Sequence, residues 1–164
     1  LMNLEASRSF LSRLSGLPES RVAQLAQYLR QHTDTLPRDD PELKVLDFAL
    51  ASCAVEAAVA RHAGTVEEAY TLMGLTYVQT GKDLTGLTHL VVTGGSLIHT
   101  EKTTEIASHA LYDPAQPMSL RPKRAQVLVD RKYILSAMGL LAASYPACAL
   151  RIMKKEITVD GYPK

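Results

Sequence analysis

The run Thr88-His89-Leu90-Val91-Val92-Thr93-Gly94-Gly95 most narrows what this chain can fold into, because an apolar, β-rich segment stops there at two adjacent glycines. Leu90, Val91 and Val92 in succession suit a central strand covered on both faces. In open α/β sheets, ligands lie outside the carboxyl ends of the strands, where a glycine lets the backbone approach a phosphate or nucleoside without a Cβ in the way. The dipeptide alone favours a plain tight turn over a ligand-facing one. Its neighbours have to decide.

On either side of this run the pattern is mostly helical. Leu4, Phe10, Leu11 and Leu14 predict a short opening helix, broken at Ser15-Gly16-Leu17-Pro18. From Glu19, apolar Val22, Leu25, Ala26 and Leu29 against polar Arg21, Gln24, Gln27 and Arg30 predict an amphipathic surface helix. A polar linker, Thr33 to Pro41, follows, with Asp39 or Asp40 as a helix cap. The longest helical segment runs from Pro41 to Gly64 and is expected to be buried nearly all round, with Gly64 as a left-handed cap at its end. Glu56 inside that stripe sits on an exposed edge, or is paired or touches a ligand; the edge is the simpler account.

The pattern from Tyr70 to Asp83 turns to β, broken by Gly74 and ended by Thr80-Gly81, and predicts an extended or hairpin-like insertion. After the glycines, Ile106, Ala107, Ala110 and Leu111 share a helical face over Thr103 to Leu111. Asp113 to Pro122 is a proline-rich loop, Gln126 to Val129 a second short strand, and Asp130 the cap of a helix through Ile134, Met138 and Leu141. Gly139 in that helix implies close packing. Pro146 opens a last helix through Leu150 and Met153, and Thr158 to Lys164 reads as tail.

Several chemistries lack their residues. There is no Gly-x-Ser-x-Gly elbow, and Cys53 and Cys148 fall in apolar helical segments, which reads as buried free thiols although spacing leaves a disulfide open. The histidines at 32, 62, 89, 99 and 109 have no metal-ligand spacing, and phosphate-loop and dinucleotide fingerprints are missing. A formal net charge of +1 gives no global field for a polyanion. The basic clusters Arg121, Lys123, Arg124, then Arg131, Lys132, then Arg151, Lys154, Lys155 read as solvated faces before phosphate or acidic-partner sites, and with few interleaved aromatics no nucleic-acid partner is expected. No run reaches the ~18 apolar residues of a membrane span, so a soluble cytoplasmic protein is expected. At 164 residues the chain fits one packed unit, and its opening Leu1-Met2-Asn3-Leu4, already near a helical pattern and without an initiating Met, reads as a piece of something longer.

Four phrases together say more: Ala58-Val59-Ala60-Arg61-His62-Ala63-Gly64, Tyr77-Val78-Gln79-Thr80-Gly81-Lys82-Asp83-Leu84-Thr85, Val91-Val92-Thr93-Gly94-Gly95 and Val127-Leu128-Val129-Asp130-Arg131-Lys132-Tyr133-Ile134. In that order they resemble the C-terminal part of the glutamate mutase accessory protein family, called GlmL or MutL and unrelated to the mismatch-repair protein of the same name. The resemblance runs from about Glu5 to about Lys155.

The resemblance implies an α/β fold of the acetate and sugar kinase, heat-shock chaperone and actin superfamily: the second half of an actin-like ATPase with ribonuclease-H-like halves, helix-rich with a small mixed sheet. Residues 1–164 would be a single C-terminal ATPase-like subdomain. Its adenosine motif would fall on Thr93, Gly94, Gly95 and Ser96, where the turn and the amides that follow favour negative charge. The family's role implies a nucleotide-binding half of an ATP-dependent reactivating chaperone, partnered by adenosylcobalamin-dependent mutase subunits, with ATP and Mg as cofactors of the intact protein. No segment matches the superfamily's first phosphate loop with its metal-binding acid, so this piece alone is expected neither to hydrolyse ATP nor to hold it tightly. A non-catalytic module docking on the mutase subunits is the alternative; a small-molecule kinase lacks an identifiable substrate-binding acid.

Overall fold

Gly16, with φ +71°, ends the first helix in the left-handed conformation that glycine tolerates best, and its N–H returns to the Ser12 carbonyl at 2.9 Å. It separates α1 (Leu4–Ser15) from α2 (Glu19–Gln31). The computed structural model describes residues 4–37 and 40–163, and the chain in it forms two compact units, Leu1–Ala58 and Val59–Lys164. Residues 1–3 and the candidate cap Asp39 lie outside the described residues.

In the first unit, Val22 and Leu25 of α2 pack with Leu43 and Leu46 of α3 (Pro41–His62), and Leu11, Leu17 and Leu29 close the cluster. The helical periodicity therefore names the right residues. Asp40 caps α3: its Oδ1 accepts the N–H groups of Glu42 and Leu43 at 2.8 and 3.1 Å, satisfying two of the donors a helix start leaves over. Arg21 pairs with Glu42 across the two helices. The expectation that α3 is buried all round is corrected. Only Leu43, Leu46, Ala49 and Ser52 are buried, while Ala54 and Ala58 are exposed. An alanine-rich helix is apolar on every side whether or not neighbours cover it, so composition overstates its burial.

The second unit takes in the last turn of α3, and just after it the role of Gly64 is also corrected. Its φ is not left-handed; what it supplies is close approach. A Cβ at Gly64 would lie 2.4 Å from the Thr80 carbonyl oxygen, and a Cβ at Gly81 would lie 2.9 Å from the Gly64 Cα. The Gly64 N–H donates to the Lys82 carbonyl at 2.7 Å, and its own carbonyl accepts from Leu120 at 2.8 Å. The two glycines thus let three backbone segments meet.

Strands β1 (Thr65–Thr71) and β2 (Gly74–Thr80) form a hairpin that begins five residues before the β pattern expected from Tyr70, antiparallel from Thr65↔Thr80 to Thr71↔Gly74. Every residue of β2 is exposed, and Leu72 and Met73 at the tip are 108 and 99 % exposed.

A second sheet has the order β3 (His89–Val92), β4 (Gln126–Val129), β5 (Thr158–Gly161), with β3 and β4 parallel and β4 and β5 antiparallel. The chain passes from β3 to β4 through α4 (Gly95–Ile98) and α5 (Thr103–Ser108), whose Ile98 and Ala107 pack on Val127 and Val129. Two expectations fall together. The central strand is β4, with Val127 and Val129 buried; β3 is an edge strand on which His89 and Val91 are exposed. Three apolar residues in a row fit either position, and only the partner on the far side decides. The expected tail from Thr158 is instead β5, whose Asp160 and Gly161 hide it from a propensity reading.

Helices α6 (Leu135–Ala142) and α7 (Pro146–Glu156) complete the unit. Gly139 does not mark close packing, since a Cβ there would meet nothing within 4 Å. The cysteines are free and only half-buried, which corrects their expected burial. Burial, and then the nearby Glu56, raise the Cys53 thiol above its usual pKa, and Glu56 is itself half-buried rather than on an exposed edge. Among the described residues, no helix is long and apolar enough to cross a membrane.

Candidate ligand site at the carboxyl edge of the sheet

Val92 and Val129 are register partners at the ends of the parallel strands, so the residues that follow them leave the sheet side by side. The Asp130 N–H extends the ladder by one step, donating to the Val92 carbonyl at 2.9 Å. One edge therefore carries Thr93-Gly94-Gly95-Ser96 from β3 and Asp130-Arg131-Lys132-Tyr133 from β4. This is the crevice position that parallel sheets use for ligands.

Gly94 has φ +105° and ψ 148°, a backbone that side chains rarely tolerate, and a Cβ on it would point into open space. Thr93, Gly95 and Ser96 are exposed and Gly94 half so. The four candidate residues thus form one open turn. The helix expected over Thr103 to Leu111 is present as the shorter α5, and the single turn of α4, which was not expected, comes between it and the glycines. So short a helix carries little macrodipole, and what the turn offers an incoming group is access to backbone rather than a helical field.

The β4 side is held from several directions. Asp130 is buried, and its two carboxyl oxygens accept the N–H groups of Ile134 and Leu135, each at 3.0 Å; it serves the start of α6 from four residues ahead of the N-cap position expected for it, which Ile134 takes. Arg131 donates to the Ile98 carbonyl at the end of α4 and pairs with Asp160 of β5, both at 2.9 Å. The Thr104 hydroxyl of α5 donates to the other Asp160 oxygen at 2.8 Å. Lys132 pairs with Glu156, and this contact holds the Glu156 carboxyl below its usual range.

Tyr133 follows with φ +54°, the one non-glycine residue at positive φ among those described, and its hydroxyl oxygen would lie 3.6 Å from a Cβ on Gly95. Sequence reasoning missed Tyr133, Arg131 and Asp160 as parts of this edge. Only the phrase Asp130-Arg131-Lys132-Tyr133 directly after a strand signals the first two; nothing local points to Asp160 or foretells a left-handed tyrosine.

Four residues of the basic clusters are engaged within the fold. Arg121 is fully buried, with Nη2 donating to Gln116 Oε1 at 3.1 Å, so it is not part of a solvated face. Arg124 lies over the Tyr162 ring at 4.7 Å, and Arg131 and Lys132 are paired as described. Among the described residues, no group of three or more His, Cys, Asp and Glu is placed to hold a metal ion.

A family model described as MutL protein matches residues 3–157. Protein MutL of Clostridium tetanomorphum is 40% identical over 134 residues, which are 82% of this chain and 29% of that protein. The chain therefore spans about three tenths of the length of that curated relative. No solved structure matches the chain.

Proposed function

The chain belongs to the MutL family, and from that premise we propose that it is the nucleotide-binding half of an ATP-dependent reactivating chaperone for an adenosylcobalamin-dependent mutase such as glutamate mutase. The observation that carries the reading is the open turn after β3, where Gly94 at φ +105° and the exposed Gly95 leave room for a nucleoside against the backbone. Thr93, Gly94, Gly95 and Ser96 would hold the adenosine end of ATP. The bound nucleotide supplies the phosphoanhydride whose cleavage drives exchange of damaged cofactor.

Magnesium does not fit this edge. Asp130, the carboxyl group closest to it in the chain, is buried and spends both oxygens on backbone amides. The metal-binding acid of the reading therefore comes from the remainder of the full-length protein, as does hydrolysis. In this reading the protein is cytoplasmic, where Cys53 and Cys148 stay reduced.

A clean test avoids Gly94, because a β-branched residue at its φ would strain the backbone as well as fill the turn. Gly95 has no such constraint, and a Cβ there makes only ordinary contact with Tyr133. In the full-length protein, Gly95→Val weakens ATP binding by calorimetry about tenfold or more, with the melting temperature unchanged. An unaltered Kd rejects the site.

One observation favours the second reading, a non-catalytic module docking on the mutase subunits. The β1–β2 hairpin presents Tyr70, Leu72 and Met73 at 83, 108 and 99 % exposure. Exposed apolar groups at a hairpin tip suit a partner surface. Leu72→Ser with Met73→Ser then lowers mutase capture in a pull-down while ATP binding stays intact; undiminished capture removes the hairpin from consideration.

A further inference from the structure

The tyrosine beside the glycine turn is held in a conformation that its own chemistry resists. A non-glycine residue at φ +54° carries a backbone cost, and such residues persist only where their surroundings fix them. Here the surroundings do so on both sides. Before Tyr133, Arg131 is tied to Ile98 and Asp160, and Lys132 to Glu156. After it, the Ile134 and Leu135 amides are tied to the buried Asp130 carboxyl. The Tyr133 N–H itself turns back to the Asp130 carbonyl at 3.4 Å.

What this fixes is the backbone from which the ring projects. Tyr133 remains 48 % exposed, so the strain does not serve to bury it in the core. Its hydroxyl oxygen instead sits 3.6 Å from where a Cβ of Gly95 would be, on the turn that opens the carboxyl edge. A flat ligand entering over Gly94 and Gly95 would come up against this phenol. Aromatic rings are the surfaces on which nucleobases stack, whatever the base, and a side chain on a backbone already held in place has less conformational freedom to lose on doing so.

We propose that Tyr133 is the base platform of this site, stacking on the purine of a nucleotide whose ribose lies against Gly94 and Gly95. The inference rests on the nucleotide-binding reading above and adds to it the residue that recognises the base. Since stacking needs the ring and not the hydroxyl, Tyr133→Phe and Tyr133→Trp keep the function, whereas Tyr133→Leu removes the π face and keeps the bulk.

The test is calorimetry on the full-length protein with ATP and, separately, inorganic tripolyphosphate, which has the charge but no base. Tyr133→Leu weakens ATP binding roughly ten- to hundredfold, while tripolyphosphate binding is unchanged and Tyr133→Phe stays within about twofold of wild type. If Tyr133→Leu unfolds the protein, Tyr133→Trp provides the readout: its emission is quenched by ATP and not by tripolyphosphate, relative to the unsubstituted protein. Loss of ATP binding in Gly95→Val with none in Tyr133→Leu, or no ATP-specific quenching in Tyr133→Trp, overturns the platform and spares the glycine site. Absence of ATP binding in the wild-type protein overturns both.

Discussion

Replacing Gly64 with alanine tests whether the junction between α3 and the hairpin is built on backbone contact. The added Cβ would lie 2.4 Å from the Thr80 carbonyl oxygen and 2.8 Å from both Gly81 C and Lys82 N. All three are backbone atoms, so no rotamer change can relieve the clash. An ordinary carbon–oxygen contact is about 3.3 Å, so the segments must part by roughly 0.9 Å, the difference between that value and 2.4 Å. A shift of that size takes the Gly64 N–H to Lys82 carbonyl bond from 2.7 Å to beyond bonding range and strains the Leu120 bond on the other side. Each lost hydrogen bond costs about 0.5–1.5 kcal/mol and overpacking about 1–3 kcal/mol. Because φ at Gly64 is not left-handed, alanine returns about 0.4–1 kcal/mol through the unfolded chain. The net loss is about 2–3 kcal/mol, read as a lower urea midpoint by circular dichroism. Gly86→Ala is the control, since a Cβ there meets nothing within 4 Å and its φ is ordinary. If Gly64→Ala proves as harmless as Gly86→Ala, the close-approach argument is wrong.

Further outcomes concern single groups. Asp130→Ala leaves the Ile134 and Leu135 amides without their acceptor and destabilises by about 2–4 kcal/mol, while Asp130→Asn, which keeps one oxygen, costs less; equal losses in thermal melts would deny the carboxyl its capping role. Glu156, whose pKa is lowered first by its hydrogen bond with Lys132 and then by that charge, titrates by NMR below the usual glutamate range, and Lys132→Ala returns it upward. By linkage, its contribution to stability is complete above the unfolded-state pKa and is lost as pH falls through the lower folded value. The Cys53 thiol, raised by burial and Glu56, reacts more slowly with iodoacetamide at pH 8 than an unstructured thiol, and Glu56→Gln speeds it; an indifferent rate would remove Glu56 as a cause.

What the sequence disclosed was local. Asp40 announces its cap because a short carboxyl side chain before an apolar period satisfies amides two and three residues on, whereas Asp130, marked in the same way, reaches the amides four and five on and leaves the N-cap position of α6 to Ile134. The strand Gln126–Val129 and the turn of the hairpin at Gly74 are legible from local signals as well, a short β-rich run and a glycine break. Long-range relations were not. Gly64 is visibly a glycine, but its reason lies at Thr80 and Gly81; Arg121 looks like part of a basic face until its burial is seen. Leu90 to Val92 could not reveal that β3 has one partner strand rather than two, and Thr158 to Gly161 gave no sign of pairing with β4. The glycine turn was legible as a strand end, whereas the tyrosine facing it was not, because residues a whole crossover apart in sequence meet only through the parallel register of β3 and β4. Two of the phrases that mark the family, those ending at Gly64 and running through Gly81, turn out to touch each other.

The edge position of β3 has a consequence for time as well as shape. Among the described residues β3 pairs with β4 alone, so alternate amides of the glycine-bearing strand point away from the ladder. Those outward amides trade their hydrogens with solvent without any global opening, while their neighbours wait for the sheet to part. The outward face of the strand that leads to Gly94 therefore keeps a faster exchange clock than the inward one. A second strand laid along that edge would slow the clock and, by the same bonds, set the angle at which the turn meets whatever enters it.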